Sequence, residues 1–232
     1  MTDLKLLAFD TSTETMSIAV ADGARSWRHS GPGGALASSA LIPSIQVLLA
    51  ESGLGLRELD AIAFGHGPGS FTGLRTACSV AQGLAFGAGL PVLGIDTLLA
   101  VADEARQQTG CSQVLAVLDA RMDQVYAAAY EFADGGWSRR GAFSLDRPEA
   151  LSLPRGWTLA GNAFDAYGER LPAGPRCACR SGALAMLRLA PALLARGGAV
   201  PADQALPLYI RDKVAQTNDE RAALKSAGRL PS

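Results

Sequence analysis

Residues 6–21 read LLAFDTSTETMSIAVA, and residues 114–132 read VLAVLDARMDQVYAAAYEF. In both stretches an apolar run ends at an aspartate, Asp10 or Asp119, a short turn follows, and a second apolar run begins at once. Each run has the length and composition of a buried strand, and a short turn between strands favours an antiparallel pair. The recurrence of this pattern indicates that the chain is a structural duplication.

In the first half of the chain, three predicted strands are followed by alternating helices and strands. Tight turns, among them Asp22-Gly23, join its first three strands. The predicted strands cover 6–9, 16–21, 25–29, 61–65 and 92–95. The predicted helices cover 35–52, with a kink or a late start at Pro43, 70–87 and 97–109. This order predicts a mixed sheet arranged 3-2-1-4-5 with an antiparallel second strand, which is the layout of the ribonuclease-H-like fold.

The second half repeats this beginning and then becomes less regular. Its predicted strands cover 114–118, 125–132 and 158–160, and its predicted helix covers 183–196. We therefore expect an α/β protein with a duplicated ribonuclease-H-like fold and a mixed sheet in each of two lobes. The predicted lobes are residues 1–110 and 111–212. The polar residues 213–232 are expected to be disordered or to fold on a partner.

Composition excludes several classes of protein. The 232 residues are 48% hydrophobic and 19% charged with a formal net charge of −1, which disfavours disorder and a chain that grips nucleic acid by itself. Four cysteines without a C-x-x-C pair and two histidines provide no zinc site. The most apolar stretch, 83–95, is too short to span a bilayer. No signal peptide precedes Asp10, so we expect a cytoplasmic protein without a membrane partner.

Residues 65–73, GHGPGSFTG, lie between a predicted strand and a predicted helix. In that position Gly67 and Gly69 favour either a backbone cradle for phosphate or a tight turn without a ligand. Asp10, Thr11 and Ser12 end the first strand, and they either hold a metal and a phosphate or bond their own backbone. His66 in this loop is either a general base or an ordinary turn residue.

Four segments together resemble one protein family. They are LAFDTST at 7–13, FGHGPGSFTGLR at 64–75, LDARMDQVY at 118–126 and PLYIR at 207–211. They are similar to the TsaB family of bacterial tRNA threonylcarbamoyladenosine biosynthesis proteins, over about residues 4–215. The resemblance implies an actin-like ATPase fold and a role beside TsaD. TsaD is the paralogue that transfers the threonylcarbamoyl group to adenosine next to the anticodon of ANN-decoding tRNAs. TsaE is a second implied partner, and contact with tRNA is implied only indirectly.

The residues argue against catalysis by this chain. TsaD carries a metal-binding histidine pair, and the positions that match it here are Thr97 and Val101. Actin-like ATPases have glycine in both phosphate turns, whereas residues 10–13 and 119–122 have none. Their adenosine loop has paired glycines, and residues 160–163 have one. We therefore expect no catalytic residue, no metal and no cofactor. The alternatives are a phosphotransferase of the kinase type, or a metallopeptidase as older family labels suggested.

The first two predicted helices carry almost no charge. Residues 35–50 have none, and residues 70–89 have only Arg75. Right-handed crossovers place both helices on one face of the sheet, where they would expose a broad, weakly polar surface typical of an interface. An alanine-rich composition would produce the same pattern. The resemblance implies pairing with TsaD, or with a second copy, through these helices. The predicted interface residues are Ala37, Leu41, Gly73, Leu74, Ala77, Val80 and Ala81.

Overall fold

The computed structural model describes residues 3–211, and the predicted polar tail at 213–232 lies outside the described residues. The first lobe has strands β1 Lys5–Asp10, β2 Thr15–Asp22, β3 Arg25–Pro32, β4 Ala61–Gly67 and β5 Val92–Asp96. Its helices are α1 Ala37–Ser52, α2 Phe71–Ala88 and α3 Thr97–Thr109. The second lobe has strands β6 Gln113–Arg121, β7 Gln124–Ala133, β8 Gly136–Asp146, β9 Thr158–Gly161 and β10 Arg176–Ala178. Its helices are α4 Phe164–Tyr167 and α5 Ala183–Ala195.

The two sheets have the same topology, which confirms the duplicated ribonuclease-H-like fold. The first is ordered β3-β2-β1-β4-β5 and the second β8-β7-β6-β9-β10. In each, the central strand pairs with an antiparallel neighbour on one side and a parallel neighbour on the other. The strand before each aspartate is the central one, as the sequence predicts. β3 is longer than predicted and reaches Pro32, because it pairs with β2 along its whole length.

Helices α1 and α2 cover one face of the first sheet, as the handedness of the crossovers predicts. Leu41 and Ile45 of α1 and Ala77 of α2 pack with Phe9 and Ile18 in one buried cluster. The first helix begins at Ala37, after a 3-10 turn, rather than at the predicted residue 35. The helix runs from Ala37 to Ser52 with Pro43 inside it, so Pro43 marks neither the start nor the end of α1.

The last helix of each lobe packs on the sheet of the other lobe. Helix α3 follows the first sheet in sequence, but its residues Leu98 and Val101 are buried against the second sheet. Helix α5 follows the second sheet, and its residues Ala183 and Met186 pack on the open face of the first. Helix α5 thus lies in the second lobe by sequence but packs on the sheet of the first. A boundary near Gly110 separates the two sheets but not the helices that cover them.

Asp96, at the end of β5, joins the lobes where α3 begins. Its Oδ1 accepts hydrogen bonds from the amides of Leu98 at 2.9 Å and Leu99 at 3.3 Å and so caps the helix. Its Oδ2 accepts a hydrogen bond from the hydroxyl of Tyr130, on β7 of the second lobe. Burial raises the pKa of Asp96 from 3.8 to about 6, although each of these hydrogen bonds acts in the opposite direction.

We expect Asp96→Asn to flatten the pH dependence of stability. The folded state holds the Asp96 proton more tightly than the unfolded state. The contribution of Asp96 to the unfolding free energy therefore falls as pH rises from about 4 to 6 and is constant above. Each pH unit in this window corresponds to about 1.4 kcal/mol, or about 3 kcal/mol in all. Asparagine keeps the cap through Oδ1 and offers Tyr130 a donor, Nδ2, in place of the acceptor Oδ2, but it does not titrate. Urea unfolding from pH 4.5 to 7.5 measures the difference between the two proteins.

The exposed Asp165 provides the control for this experiment. Asp165→Asn should leave the slope of the wild-type curve unchanged. If the curves of Asp96→Asn and the wild type run parallel over the whole range, the burial of Asp96 has no effect on its titration.

Candidate functional site

A cavity of about 430 Å³ lies between the two lobes. Its lining includes the turn after β1, the turn between β6 and β7, the first turn of α2 and residues 208–211. Ser12 and Gly69 line it from the first lobe, and Asp119 and Asn162 from the second. Because the ends of the central strands of both sheets meet here, this cleft corresponds to the nucleotide position that the actin-like fold implies.

The two aspartates at the strand ends organise equivalent turns. The Oδ1 atom of Asp10 accepts a hydrogen bond from the amide of Ser12 at 2.8 Å, and Oδ1 of Asp119 accepts one from the amide of Arg121 at 2.8 Å. The duplication therefore extends to single hydrogen bonds. Asp10 is 1% exposed, and its Oδ2 accepts further bonds from the hydroxyls of Ser12 and Ser181. Burial raises its pKa. Asp10 thus holds its own turn and the chain leading into α5.

The glycine-rich segment packs against the first of these turns. The amide of Ser70 donates to the carbonyl oxygen of Ser12 at 2.7 Å, and the hydroxyl of Thr11 donates to the carbonyl oxygen of Gly73 at 2.7 Å. A Cβ at Gly73 would overlap the carbonyl oxygen of Thr11, and one at Gly69 would lie 2.6 Å from the Cβ of Ser12. Thr11, Ser12 and Gly69 therefore form a tight backbone contact within the first lobe.

Gly67 has a different role from the one that a phosphate cradle would require. Its φ of +128° is in the region that favours glycine, and a Cβ there would lie 2.5 Å from the carbonyl oxygen of Leu208. The amide of Leu208 donates to the carbonyl oxygen of His66 at 2.6 Å. Gly67 makes room for the closing segment of the chain. The ring of His66 is largely buried, and burial lowers its pKa to about 4, so His66 is neutral near pH 7.

Several polar groups of the cleft are already paired within the chain. The amides of Ser12, Ser70 and Arg121 donate to protein oxygens. The carboxylate of Glu14 also lines the cleft and accepts hydrogen bonds from Arg180 at 2.9 Å and from Asn162 at 3.3 Å. Partial burial raises the pKa of Glu14, but its hydrogen bonds and the charge of Arg180 outweigh burial and lower it. These paired groups leave fewer free donors for a nucleotide phosphate.

The positions that match the TsaD histidine pair lie in the hydrophobic interior. Thr97 and Val101 are both fully buried, and Val101 packs against the second sheet. Within residues 3–211, no three His, Cys, Asp or Glu side chains are grouped closely enough to hold a metal ion. A metal site of the TsaD kind therefore has no counterpart among these residues.

The structure corrects the predicted interface residues. Six of the seven are buried within the described chain: Ala37, Leu41, Gly73, Leu74, Ala77 and Ala81. Val80 is partly buried. Periodicity could not separate the inward residues from the outward ones, because α1 and α2 lack charged residues on both sides and the apolar stripe has no contrast.

The outer faces of α1 and α2 are formed by other residues that the sequence reasoning missed. Several large apolar side chains are exposed: Leu36 by 62%, Ile42 by 41%, Val47 by 58% and Phe86 by 83%. Between the helices an open groove is lined by Ser38, Phe71, Thr72, Arg75, Thr76, Ser79 and Val80. By length and composition alone, the stretch Gly34–Ser52 is also apolar enough to cross a membrane. Its inner side packs on the sheet, as a helix of a folded lobe does.

Comparison with known proteins agrees with this architecture. A family described as "TsaD: tRNA N6-adenosine threonylcarbamoyltransferase" matches residues 36–175. The tRNA threonylcarbamoyladenosine biosynthesis protein TsaB of Escherichia coli is 34% identical over 224 residues, which are 91% of this chain and 96% of that protein. TsaB of Haemophilus influenzae is 46% identical over 126 residues, which are 54% of this chain and 53% of that protein.

Solved structures give the same result. YeaZ from Pseudomonas aeruginosa superposes with a TM-score of 0.83 at 39% identity and covers 89% of this chain and 100% of its own. A second structure from that organism has the same TM-score and identity, and its title states a similarity to "peptidase YEAZ". Fold and cleft thus define a two-lobed, duplicated ribonuclease-H-like protein. In the turn after β1 and in the turn between β6 and β7, a backbone amide is bonded to the aspartate that ends the central strand. The chain belongs to the TsaB family, which confirms the resemblance carried by its four motif segments.

We expect Gly73→Ala to destabilise the protein strongly and Gly83→Ala, in the same helix, to stabilise it. The Gly73 Cβ would meet backbone that cannot move without breaking the contact between the turn and α2, so the cost should be about 3 kcal/mol or more. No atom lies within 4 Å of the Gly83 Cβ position, and alanine there should add about 0.5–1 kcal/mol. Urea unfolding of both variants tests the claim, which fails if they are equally stable.

Proposed function

We propose that this chain is a non-catalytic partner and activator of TsaD in the formation of N6-threonylcarbamoyladenosine in tRNA. Membership of the TsaB family supports the place in this pathway. The single observation that carries the non-catalytic partner role is the outer face of α1 and α2, where exposed large apolar side chains lie on two helices with almost no charge. A patch of this kind on a folded chain marks a protein–protein contact.

The groove between the helices adds shape to this apolar face. Small and hydroxyl side chains line most of it, so a helix of a partner could approach closely. Arg75 is the single charged side chain of α2. Its guanidinium lies 3.9 Å from the centre of the Phe71 ring, which holds it flat against the protein. The face therefore presents apolar contact area with one oriented cation.

The occupied backbone donors in the cleft support a role in which this chain does not itself catalyse a reaction. A phosphotransferase needs free backbone donors around the transferred phosphate, and the amides of Ser12, Ser70 and Arg121 are already occupied. A metallopeptidase needs a metal site, and residues 3–211 contain no suitable cluster. TsaD would supply the catalytic residues, and this chain would stabilise its active form.

The proposal also covers the other partners and the location of the chain. Alone, the chain would form a homodimer through α1 and α2, and TsaD would compete for that face. TsaE would join the complex of the two proteins, and tRNA would contact this chain only indirectly. The site of action would be the cytoplasm, without a membrane partner.

Val47→Arg should abolish binding without unfolding the protein. Val47 is 58% exposed on the proposed face, so arginine is tolerated in the free chain but would be buried without a partner charge in a complex. We expect sedimentation to shift from dimer to monomer, and affinity for TsaD to fall by at least about a hundredfold, or about 3 kcal/mol. The circular dichroism spectrum should be unchanged, and the melting temperature should lose only the contribution of the dimer contact.

Two further variants make this experiment specific. Gln107→Arg, at an exposed position of α3, should still dimerise and bind TsaD. Leu41→Arg, at a fully buried position of α1, should unfold the protein instead of merely preventing binding. If folded Val47→Arg protein still binds TsaD as the wild type does, the contact lies on another surface.

The purified chain should not hydrolyse ATP or transfer threonylcarbamoyl groups. The measurement is phosphate release and tRNA modification by the chain alone, and then with TsaD and TsaE added. Activity of the isolated chain that survives repurification and disappears in Asp10→Asn would contradict the proposal. That substitution preserves the size of Asp10 and the bond from the Ser12 amide, and circular dichroism would establish that the variant is folded before a loss of activity is assigned to the carboxylate.

A further inference from the structure

Residues 200–211 leave the last helix and run along the first lobe. Val200 forms an isolated antiparallel bridge with Val92, at the outer edge of the first sheet. The carbonyl oxygen of Ala205 accepts a hydrogen bond from the side-chain amide of Gln82, in α2, at 2.9 Å. With the bond from Leu208 to His66, these contacts fix the segment along α2 and the end of β4. The motif PLYIR at 207–211 then crosses to the second lobe.

Tyr209 contacts the first turn of α2 in two ways. Its ring packs on Phe71 with 5.3 Å between the ring centres, and its hydroxyl accepts a hydrogen bond from Nε of Arg75 at 3.1 Å. Arg75 in turn covers the other ring, that of Phe71. These three side chains form one stack at the border between the cleft and the groove of α1 and α2.

Two residues further, Arg211 contacts the turn between β6 and β7. Its guanidinium donates to the carbonyl oxygens of Ala120 at 3.0 Å and Arg121 at 3.4 Å, and to Oε1 of Gln124 at 2.9 Å. The neighbouring Ile210 packs with the core of the second lobe. Residues 209–211 therefore join α2 of one lobe to a hairpin turn of the other.

This turn is held in an unfavourable conformation. Arg121, Met122 and Asp123 have φ values of 59°, 55° and 62°, and each is a non-glycine residue in the left-handed region. Each such residue costs about 1 kcal/mol or more, so the turn persists only because contacts around it fix its shape. Within the second lobe, Asp119 accepts a hydrogen bond from the amide of Arg121 at 2.8 Å, and Arg170 holds Asp123 at 2.6 Å. From the closing segment, Arg211 holds the carbonyl groups of Ala120 and Arg121.

We propose that residues 208–211 are a clasp that couples the first turn of α2 to the turn between β6 and β7. A change at Arg75 shifts Tyr209, and Arg211 then loosens or tightens its hold on the strained turn. The turn lines the cleft, so the clasp links the outer face of α2 to the width of the cleft. The coupling is a property of the chain by itself. Only its use by a protein that binds α2 rests on the proposed function.

Hydrogen exchange of the isolated full-length chain tests the clasp. Arg75→Gln and Tyr209→Phe each remove the hydrogen bond between Arg75 and Tyr209, and neither residue contacts the turn. Loss of one such bond is worth about 1 kcal/mol, so both variants should exchange amides in 118–126 about fivefold faster than the wild type. By reciprocity, Arg211→Gln should accelerate exchange in 71–76 as well as in 118–126.

Arg170→Gln is the matched control, because it removes the other arginine from the same turn. It should accelerate exchange in 118–126 and leave 71–76 unchanged. Sedimentation and circular dichroism establish that all variants share the fold and the oligomeric state. If Arg75→Gln alters self-association, the test of the bond between Arg75 and Tyr209 rests on Tyr209→Phe. The proposal is overturned if Arg211→Gln accelerates only 118–126 while Arg75→Gln and Tyr209→Phe leave that segment unchanged, or if Arg211→Gln changes neither segment.

Discussion

The turn that follows β1 lies so close to the first turn of α2 that a side chain at position 73 would overlap the carbonyl group of Thr11. This approach positions α2 on the sheet, and α2 in turn supports α1 and the closing segment. It also pairs polar groups of the two elements, because the amide of Ser70 donates to the carbonyl oxygen of Ser12 and the hydroxyl of Thr11 donates to that of Gly73. One contact thus stabilises the first lobe and closes the position where a phosphate would bind.

The second lobe keeps the sheet of the first but loses most of its helices. Between β8 and β9 there is no α-helix, and α4 has only four residues. Its sheet is covered instead by α3, which arrives from the first lobe, while α5 returns to cover the first sheet. Arg188 of α5 bonds Asp103 at 2.7 Å and Glu104 at 2.8 Å, both on α3, so the exchanged helices are also tied to each other. In each sheet, one apolar face is covered by the helix that belongs to the other lobe.

Much of this architecture could be predicted from local patterns. The strand order follows from short turns around Asp10 and Asp119 and from the handedness of crossovers, and the C-terminal end of α3 follows from Gly110. The residues of the α1–α2 surface could not be predicted, because a helix without charge has no polar stripe that indicates which side faces outward. The packing of α5 depends on which sheet is left open, and that is a property of the whole chain. Gly67 resembles a phosphate glycine in sequence, and only the path of Leu208, far along the chain, explains it.

The cleft and the exposed helices lie beside each other on the molecule. In the cleft, the amides of Ser12, Ser70 and Arg121 are bonded within the chain. The exposed apolar face of α1 and α2, by contrast, is unfavourable in water and favours a complex. The stack of Phe71, Arg75 and Tyr209 stands where these two regions meet. Phe71 lines both the cleft and the groove, so a partner seated in the groove would contact a side chain that also borders the cleft.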